Sequence, residues 1–335
     1  MNNKKLKRNL IITIISISML AVLSIVIVNR TLGKINYTNF EDEPVIDEKE
    51  IVTEVEKVNN LKEVKEEEIE FDTAKAINSI PDISNILLIG EENWQNDERG
   101  RTDSMMILTI DKKNSSIKIT SLMRDTYVSI PGHSNNRLNA AYTIGGVSLL
   151  KDTIKENYGI EIDNTVLVDF KAFSNIIDTL GGIDINLSEA EVEWLTENNV
   201  GEGLKTGKNH LSGKQALVYA RTRYVETKDG EANDFGRTNR QREILEIIYD
   251  EYRDSSITEL IDLISEICPY ITTDLTQSQI IDYVIASVSM DNEDIETLRL
   301  PMDNAYRNIS VNGMAVLDLD WEKNRNALQE FIYQH

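Results

Sequence analysis

The chain has 335 residues, 41% of them apolar, and a formal net charge of −22. That length supports one large domain with appendages or two domains, and the acidic balance argues against non-specific binding to DNA or to an anionic membrane face, so no nucleic-acid partner is expected. A single cysteine, Cys268, excludes a disulfide framework; beside Pro269 at an apolar helix end it reads as packed, not reactive.

Lys4, Lys5, Lys7 and Arg8 precede an uncharged run over residues 10–28, which Arg30 closes. As a helix that run would span about 28 Å, close to a bilayer's hydrocarbon core. A cleaved signal peptide would have a shorter apolar stretch and a small-residue cleavage site, and residues 25–29 (IVIVN) offer none. The expected plan is a cytoplasmic tail over 1–9 and a single-pass transmembrane anchor over 10–28, with everything after it outside the cell membrane. Residues 29–80 are rich in Glu, Asp and Lys and read as an acidic extracytoplasmic stem. Ile51, Val55, Val58, Leu61 and Val64 recur at helical spacing, so the stem is a short amphipathic helix or a disordered spacer.

One domain is expected over 81–335. Residues 86–89 (ILLI), stopped by Gly90, have the form of a buried strand, and 105–110, 117–122 and 127–130 read as three more. A helix follows over 138–157, interrupted by Gly145-Gly146. Then come a strand over 165–170, a helix over 171–180 ended by Gly181-Gly182, and an alternating strand over 183–187. Ser212 can cap a helix running to Arg221, and a second helix should start near Gly236 and run to Arg253. Helices over 257–267 and 276–288, a strand over 295–300 and a helix over 321–333 complete the pattern. Strands mixed with helices in this order give an α/β sandwich around one mixed central sheet.

Residues 220–242 concentrate Arg221, Arg223, Arg237, Arg240 and Arg242 in this acidic chain, with Asp229 and Asp234 among them. Guanidinium is well shaped to bind phosphate oxygens in pairs. Arg237, Arg240 and Gln241 share a helix face in the first turns, where the macrodipole disfavours cations unless an anion is bound. The other reading is a solvated basic face. Asp234 could cap this helix or ligate a metal. Two further clusters, Arg101 with Asp103 and Arg124 with Asp125, stand at strand ends. Local ion pairs would explain each alone, but not readily all three. His133, His210 and His335 are not spaced with acids or Cys268, which argues against a serine triad, a zinc site or a histidine acid–base pair. No Walker-type phosphate loop is present, so ATP is not expected as a donor.

Taken in order, these clusters resemble the LytR–CpsA–Psr family of bacterial cell-envelope proteins. The matching words are NILLIG (85–90), RTDSM (101–105), SLMRDTYVSIPG (121–132), RLNAAYTIGG (137–146), VDF (168–170), DTLGGI (178–183), LSGKQALVYARTR (211–223) and DFGRTNRQ (234–241). The resemblance covers roughly residues 82–250. It implies an extracytoplasmic transferase that moves a glycopolymer phosphate from a polyprenyl-pyrophosphate carrier to peptidoglycan and forms a phosphodiester. It also implies an apolar groove for the lipid. Asp103 and Asp234 would hold Mg²⁺, with Mn²⁺ as an alternative. Arg124, Arg221, Arg223 and Arg237 would grip the pyrophosphate, with Arg101, Arg240 and Gln241 in support. Apart from the resemblance, such a transfer needs a base for the acceptor hydroxyl, Asp125 or Asp103, or a metal that lowers the hydroxyl's pKa enough. Two departures stand out: Glu91 follows Gly90 where the family commonly has an aspartate, and Met123 replaces the usual proline before Arg124. Residues 255–335 carry no recognisable motif. A non-catalytic binding or regulatory protein, and a hydrolase of the same pyrophosphate bond, are the competing expectations.

Overall fold

The computed structural model describes residues 32–45, 61–69, 71, 74, 77, 80–92, 99–100, 102–228, 230–288, 290 and 295–334. The expected anchor over 10–28 lies outside these residues, as do Arg101 and Asp229. Among the described residues no helix is long and apolar enough to cross a membrane.

In chain order the elements are β1 (Asn36–Tyr37), β2 (Lys62–Glu63), β3 (Ile83–Glu91), β4 (Thr102–Asp111), β5 (Ser116–Leu122), β6 (Tyr127–Val128), β7 (Asn136–Arg137) and α1 (Leu138–Tyr158). Then come β8 (Asn164–Asp169), α2 (Phe170–Thr179), β9 (Ile183–Leu187), α3 (Glu189–Glu197), β10 (Gly207–Leu211), α4 (Gly213–Arg221) and α5 (Asn233–Tyr252). The chain closes with α6 (Ile257–Ile267), β11 (Thr272–Thr273), α7 (Gln277–Val288), β12 (Glu296–Leu300), β13 (Tyr306–Val311), β14 (Met314–Leu319) and α8 (Trp321–Tyr333).

The central sheet has the order β1-β11-β8-β3-β4-β5-β12. It is mixed: β4 pairs antiparallel with β3 and β5 on either side, while β8 pairs parallel with β3 and β12 with β5. Alternation along the strands separates two faces. Leu87, Ile89, Met105 and Ile107 point into a core shared with Leu138, Leu150, Ile154, Leu328 and Ile332 of α1 and α8. Their neighbours Leu88, Met106, Val166 and Val168 point the other way, toward α2, α4 and α5. The β9–β10 hairpin closes a second core with α3, α4 and α5. This sandwich is the expected one, with elements that the sequence reading missed: α3, β10, the short strands β1, β7 and β11, and the hairpin β13–β14 with β2 on its edge.

The expectation of a separate stem over 29–80 needs correction where that segment is described. β1 joins the central sheet beside β11, β2 pairs with β13, and Phe40 is buried in the main core. Glu43 explains the interruption in α1. Gly145 and Gly146 leave helical geometry, Gly146 at φ 68°, and the Glu43 carboxylate accepts from Val147 N at 2.7 Å as the helix restarts. A Cβ on Gly146 would lie 1.7 Å from Glu43 Oε2, so only glycine fits. The apolar residues of this segment buy it a place in the domain, which its acidic composition concealed.

Candidate functional site

Three loops converge at one end of the central sheet. The first is the β3–β4 junction. Gly90 pairs with Ser104 and Glu91 with Thr102, so Asp103 is left out of the ladder as a bulge. A bulge turns its extra residue away from the sheet, and here the Asp103 carboxylate meets Arg124. The second is the turn after β5, which carries Arg124 and Asp125. The third is the start of α5. Ala232 is its N-cap, so Asp234 lies in the first turn and does not cap the helix.

Arg124 sits at the centre. It donates to Asp103 and, at 2.9 Å, to Asp234 Oδ2, and lies 3.6 Å from Asp125. Arg237, one turn along α5, donates to the same Asp234 oxygen at 3.0 Å and lies 3.7 Å from Asp103. Arg223 Nε is 2.7 Å from Asp234 Oδ1, out of line for a hydrogen bond, so that oxygen is buried without one. The cluster is well shielded, Asp234 at 6% and Arg237 at 2% exposure. Burial opposes ionisation of Asp234, but Arg237, Arg124 and Arg223 outweigh it and hold the carboxyl below the usual carboxylate range. Asp125 goes the other way: burial pushes it up, and the Asp234 charge adds to that against Arg124 and Arg137. Burial also works against the charge on Arg124, yet the three aspartates raise it further.

The remaining expected residues divide. Arg221 and Gln241 stand beside the cluster at the rim of an apolar cavity. The Arg221 guanidinium lies over the Phe170 ring at 4.2 Å, with Glu92 at 3.4 Å. Gln241 donates to Ala220 O at 3.4 Å, leaving its buried Oε1 without a partner. Arg240 is not a phosphate ligand here. Its fully buried guanidinium meets Glu191 at 2.9 and 2.8 Å and donates to Thr222 O and Val225 O, so no face of it reaches the cluster. Glu91, in the family's aspartate position, points to the opposite face and accepts from Tyr142 Oη. Met123 fills the place of the usual proline with an apolar side chain that meets Thr238 of α5.

Sequence reasoning missed two contributors. Arg137, 3.5 Å from Asp125, belongs to a quoted motif but was not expected in the site. Arg299, from the segment without motifs, meets both oxygens of Glu231 at 3.1 and 3.0 Å and so ties down the loop before α5. Asp125 is also held from there, since its carbonyl accepts from Leu317 N at 2.9 Å.

The cavity is the second half of the site. It encloses about 280 Å³ between the sheet and the helices α2, α4 and α5. Leu88, Met106, Val166, Phe173, Leu217 and Ile248 are among its walls, and Gly90, Ser104, Arg221 and Gln241 form its polar end. Ser104 follows Asp103 directly, so the apolar slot ends against the charged cluster. The arrangement suits an anionic head joined to a long hydrocarbon. Asp103 and Asp234 also suit a hard divalent cation: Mg²⁺ commonly binds one or two carboxylates plus substrate phosphates, and Asp234 Oδ1 accepts no hydrogen bond.

A model of the LytR_cpsA_psr family matches residues 48–331. The regulatory protein MsrR of Staphylococcus aureus is 32% identical over 251 residues, 74% of this chain and 73% of its own. The polyisoprenyl-teichoic acid–peptidoglycan teichoic acid transferase TagU of Bacillus mycoides is 34% identical over 213 residues, 63% of this chain and 66% of its own. The Bacillus subtilis protein YwtF (TagT), solved with bound octaprenyl pyrophosphate, shares the fold at a TM-score of 0.59 and 23% identity, over 78% of this chain and 97% of that one.

Proposed function

The chain belongs to the LytR–CpsA–Psr family, and on that premise we propose that it is a membrane-anchored phosphotransferase acting outside the cell membrane. It would move a glycopolymer phosphate from a polyprenyl-pyrophosphate carrier to a peptidoglycan hydroxyl and form a phosphodiester. One observation carries this reading: an apolar cavity has Ser104, Arg221 and Gln241 at its polar end, and Ser104 directly follows Asp103 of the cluster that Arg124, Arg223, Arg237 and Asp234 complete. TagU, named a teichoic acid transferase, and YwtF, solved with octaprenyl pyrophosphate, support the carrier class.

The residues divide the labour. The cavity takes the first part of the polyprenyl tail. Arg124, Arg223 and Arg237, with Arg221 at the rim, neutralise the pyrophosphate oxygens, which is most of what phosphoryl transfer asks of a protein. Asp103 and Asp234 would hold Mg²⁺, which would supply positive charge to the phosphates. The acceptor oxygen attacks the phosphorus that bears the glycan, the bond to the bridging oxygen breaks, and polyprenyl phosphate leaves with that electron pair. Asp125 is the favoured acceptor for the hydroxyl proton, because its raised pKa brings it closer to working pH and Arg137 holds it in place.

The similarity to MsrR favours a second reading, in which the site binds the lipid-linked polymer in a regulatory role without turnover. The test is incubation of the full chain in detergent micelles with a pyrophosphate-linked lipid glycan, peptidoglycan strands and Mg²⁺. Glycan coupled to peptidoglycan, lost on Arg124→Ala by roughly 100-fold or more, supports the transferase. Tight lipid binding with no product supports the regulatory reading, and release of free glycan phosphate makes the protein a hydrolase.

A further inference from the structure

Tyr224 is 76% exposed, the highest exposure among the described large apolar side chains. It directly follows Arg223, whose guanidinium meets Asp234. Its ring lies against that of Trp194 in α3, with centroids 5.4 Å apart and planes opened by 48°. The two rings form an apolar wedge, half-exposed at Trp194 and exposed at Tyr224, one residue along the chain from Arg223.

The fold goes to some expense to hold this wedge. Arg240 donates to Thr222 O at 3.2 Å and Val225 O at 3.0 Å, the carbonyls on either side of the Arg223-Tyr224 pair. The same guanidinium bonds Glu191, which lies one helical turn before Trp194. One buried cation thus locks the helix bearing Trp194 to the loop bearing Tyr224, and fixes Arg223 as part of the same unit. A ring kept exposed by such a clamp differs from an incidental surface tyrosine, which would need no such support.

We propose that Trp194 and Tyr224 form a stacking subsite for a pyranose ring of the glycan next to the pyrophosphate. This rests on the transferase reading of the adjacent cluster. A glycan joined to a pyrophosphate held by Arg223 starts within reach of the loop that bears Tyr224. The C–H face of a pyranose is apolar and its rim polar, which matches two aromatic rings with a phenol hydroxyl and an indole N–H at their edges. A bilayer surface is the less suitable occupant. Glu193 and Glu197 of the same helix and Glu226 of the same loop are exposed, and an anionic headgroup layer would repel them, whereas a neutral sugar ring would not be repelled.

The experiment compares two ligands on the full chain in micelles: octaprenyl pyrophosphate alone, and the same lipid carrying a disaccharide of N-acetylated hexosamines. Tyr224→Ala and Trp194→Phe should each weaken the disaccharide lipid, the former by about fivefold to tenfold, the size of one aromatic contact. Both should leave the bare lipid unchanged, and Tyr224→Phe, which keeps the ring and loses the hydroxyl, should weaken the disaccharide lipid less than Tyr224→Ala does. Equal loss of both ligands would overturn the subsite and make the pair a support for Arg223. No loss of either would show the wedge idle. A wild type that binds neither lipid would overturn the transferase reading, and the subsite with it.

Discussion

Replacing Arg240 by methionine separates a structural arginine from a phosphate-binding one. The Arg240 side chain is 0% exposed and its partner Glu191 is 4% exposed. Arg240→Met removes the bonds at 2.9 and 2.8 Å to Glu191 and those to two backbone carbonyls. Breaking a buried ion pair from one side costs about 3–5 kcal/mol, because the other charge is stranded. Orphaned carbonyls add to that, at about 1–3 kcal/mol each at most. Glu191 keeps one partner, the Ser188 amide of its capping box at 2.9 Å, which limits the damage. The net expectation is a loss of about 3–5 kcal/mol, read by urea unfolding of the full chain in micelles. Glu191→Leu alone should be similarly harmful. The double variant should lose clearly less than the two single losses summed, with a coupling of at least about 2 kcal/mol. A cost under about 1 kcal/mol for Arg240→Met, together with lost affinity for octaprenyl pyrophosphate, would refute the reasoning and return Arg240 to the pyrophosphate.

Leu217→Trp should fill much of the cavity of about 280 Å³; octaprenyl pyrophosphate binding should disappear while inorganic pyrophosphate still binds, and equal loss of both would contradict a tail-binding role. Arg299→Ala frees Glu231 and Asp303; limited proteolysis should then cut the loop before α5 faster, and an unchanged cutting pattern would remove Arg299 from the positioning of Asp234. His210 bonds Asp184 and Gly181 O, both at 2.8 Å, and these bonds raise its pKa, Asp184 first. A raised folded-state pKa means that the pair's stabilisation is complete below the unfolded value of about 6.5 and is lost as pH rises through the folded value. An NMR titration should find His210 above that reference and Asp184→Asn should lower it; a wild-type value at or below the reference would contradict the geometry.

Much of the fold was legible because strands and helices announced their own periodicity. The runs ILLI and MILTI, the cap at Ser212 and the stop at Gly181-Gly182 all marked elements that the structure contains. The packing of the 32–45 segment was not legible. Leu32, Ile35 and Phe40 are few, scattered among charges, and buried by partners far away in sequence, such as Cys268. The cavity was equally hidden. Leu88, Met106 and Val168 look like core residues in sequence, and only the spacing of the helices above them leaves a slot. The C-terminal segment seemed silent because its contribution is made by backbone and by second-rank contacts: Leu317 N to the Asp125 carbonyl, and Arg299 to Glu231.

Arg237, Arg240 and Gln241 show where sequence spacing stops being informative. Their spacing placed them on one helix face, and a shared face was the basis for expecting a shared ligand. Residues i and i+3 differ by about 60° around a helix of 3.6 residues per turn. That arc is enough for Arg237 to look onto Asp234 and Asp103 while Arg240 turns beneath the 222–225 loop to Glu191. Which partner each arginine finds depends on α3, an element the sequence reading passed over although Ser188 and Glu191 have the spacing of a capping box. An arginine's surroundings therefore follow from the acid opposite it: Arg237 meets Asp234 and Asp103 of the cluster, and Arg240 meets a carboxylate sealed within the protein. The same helix thus supplies both the charge that meets a ligand and the bolt that keeps the neighbouring loop in register with it.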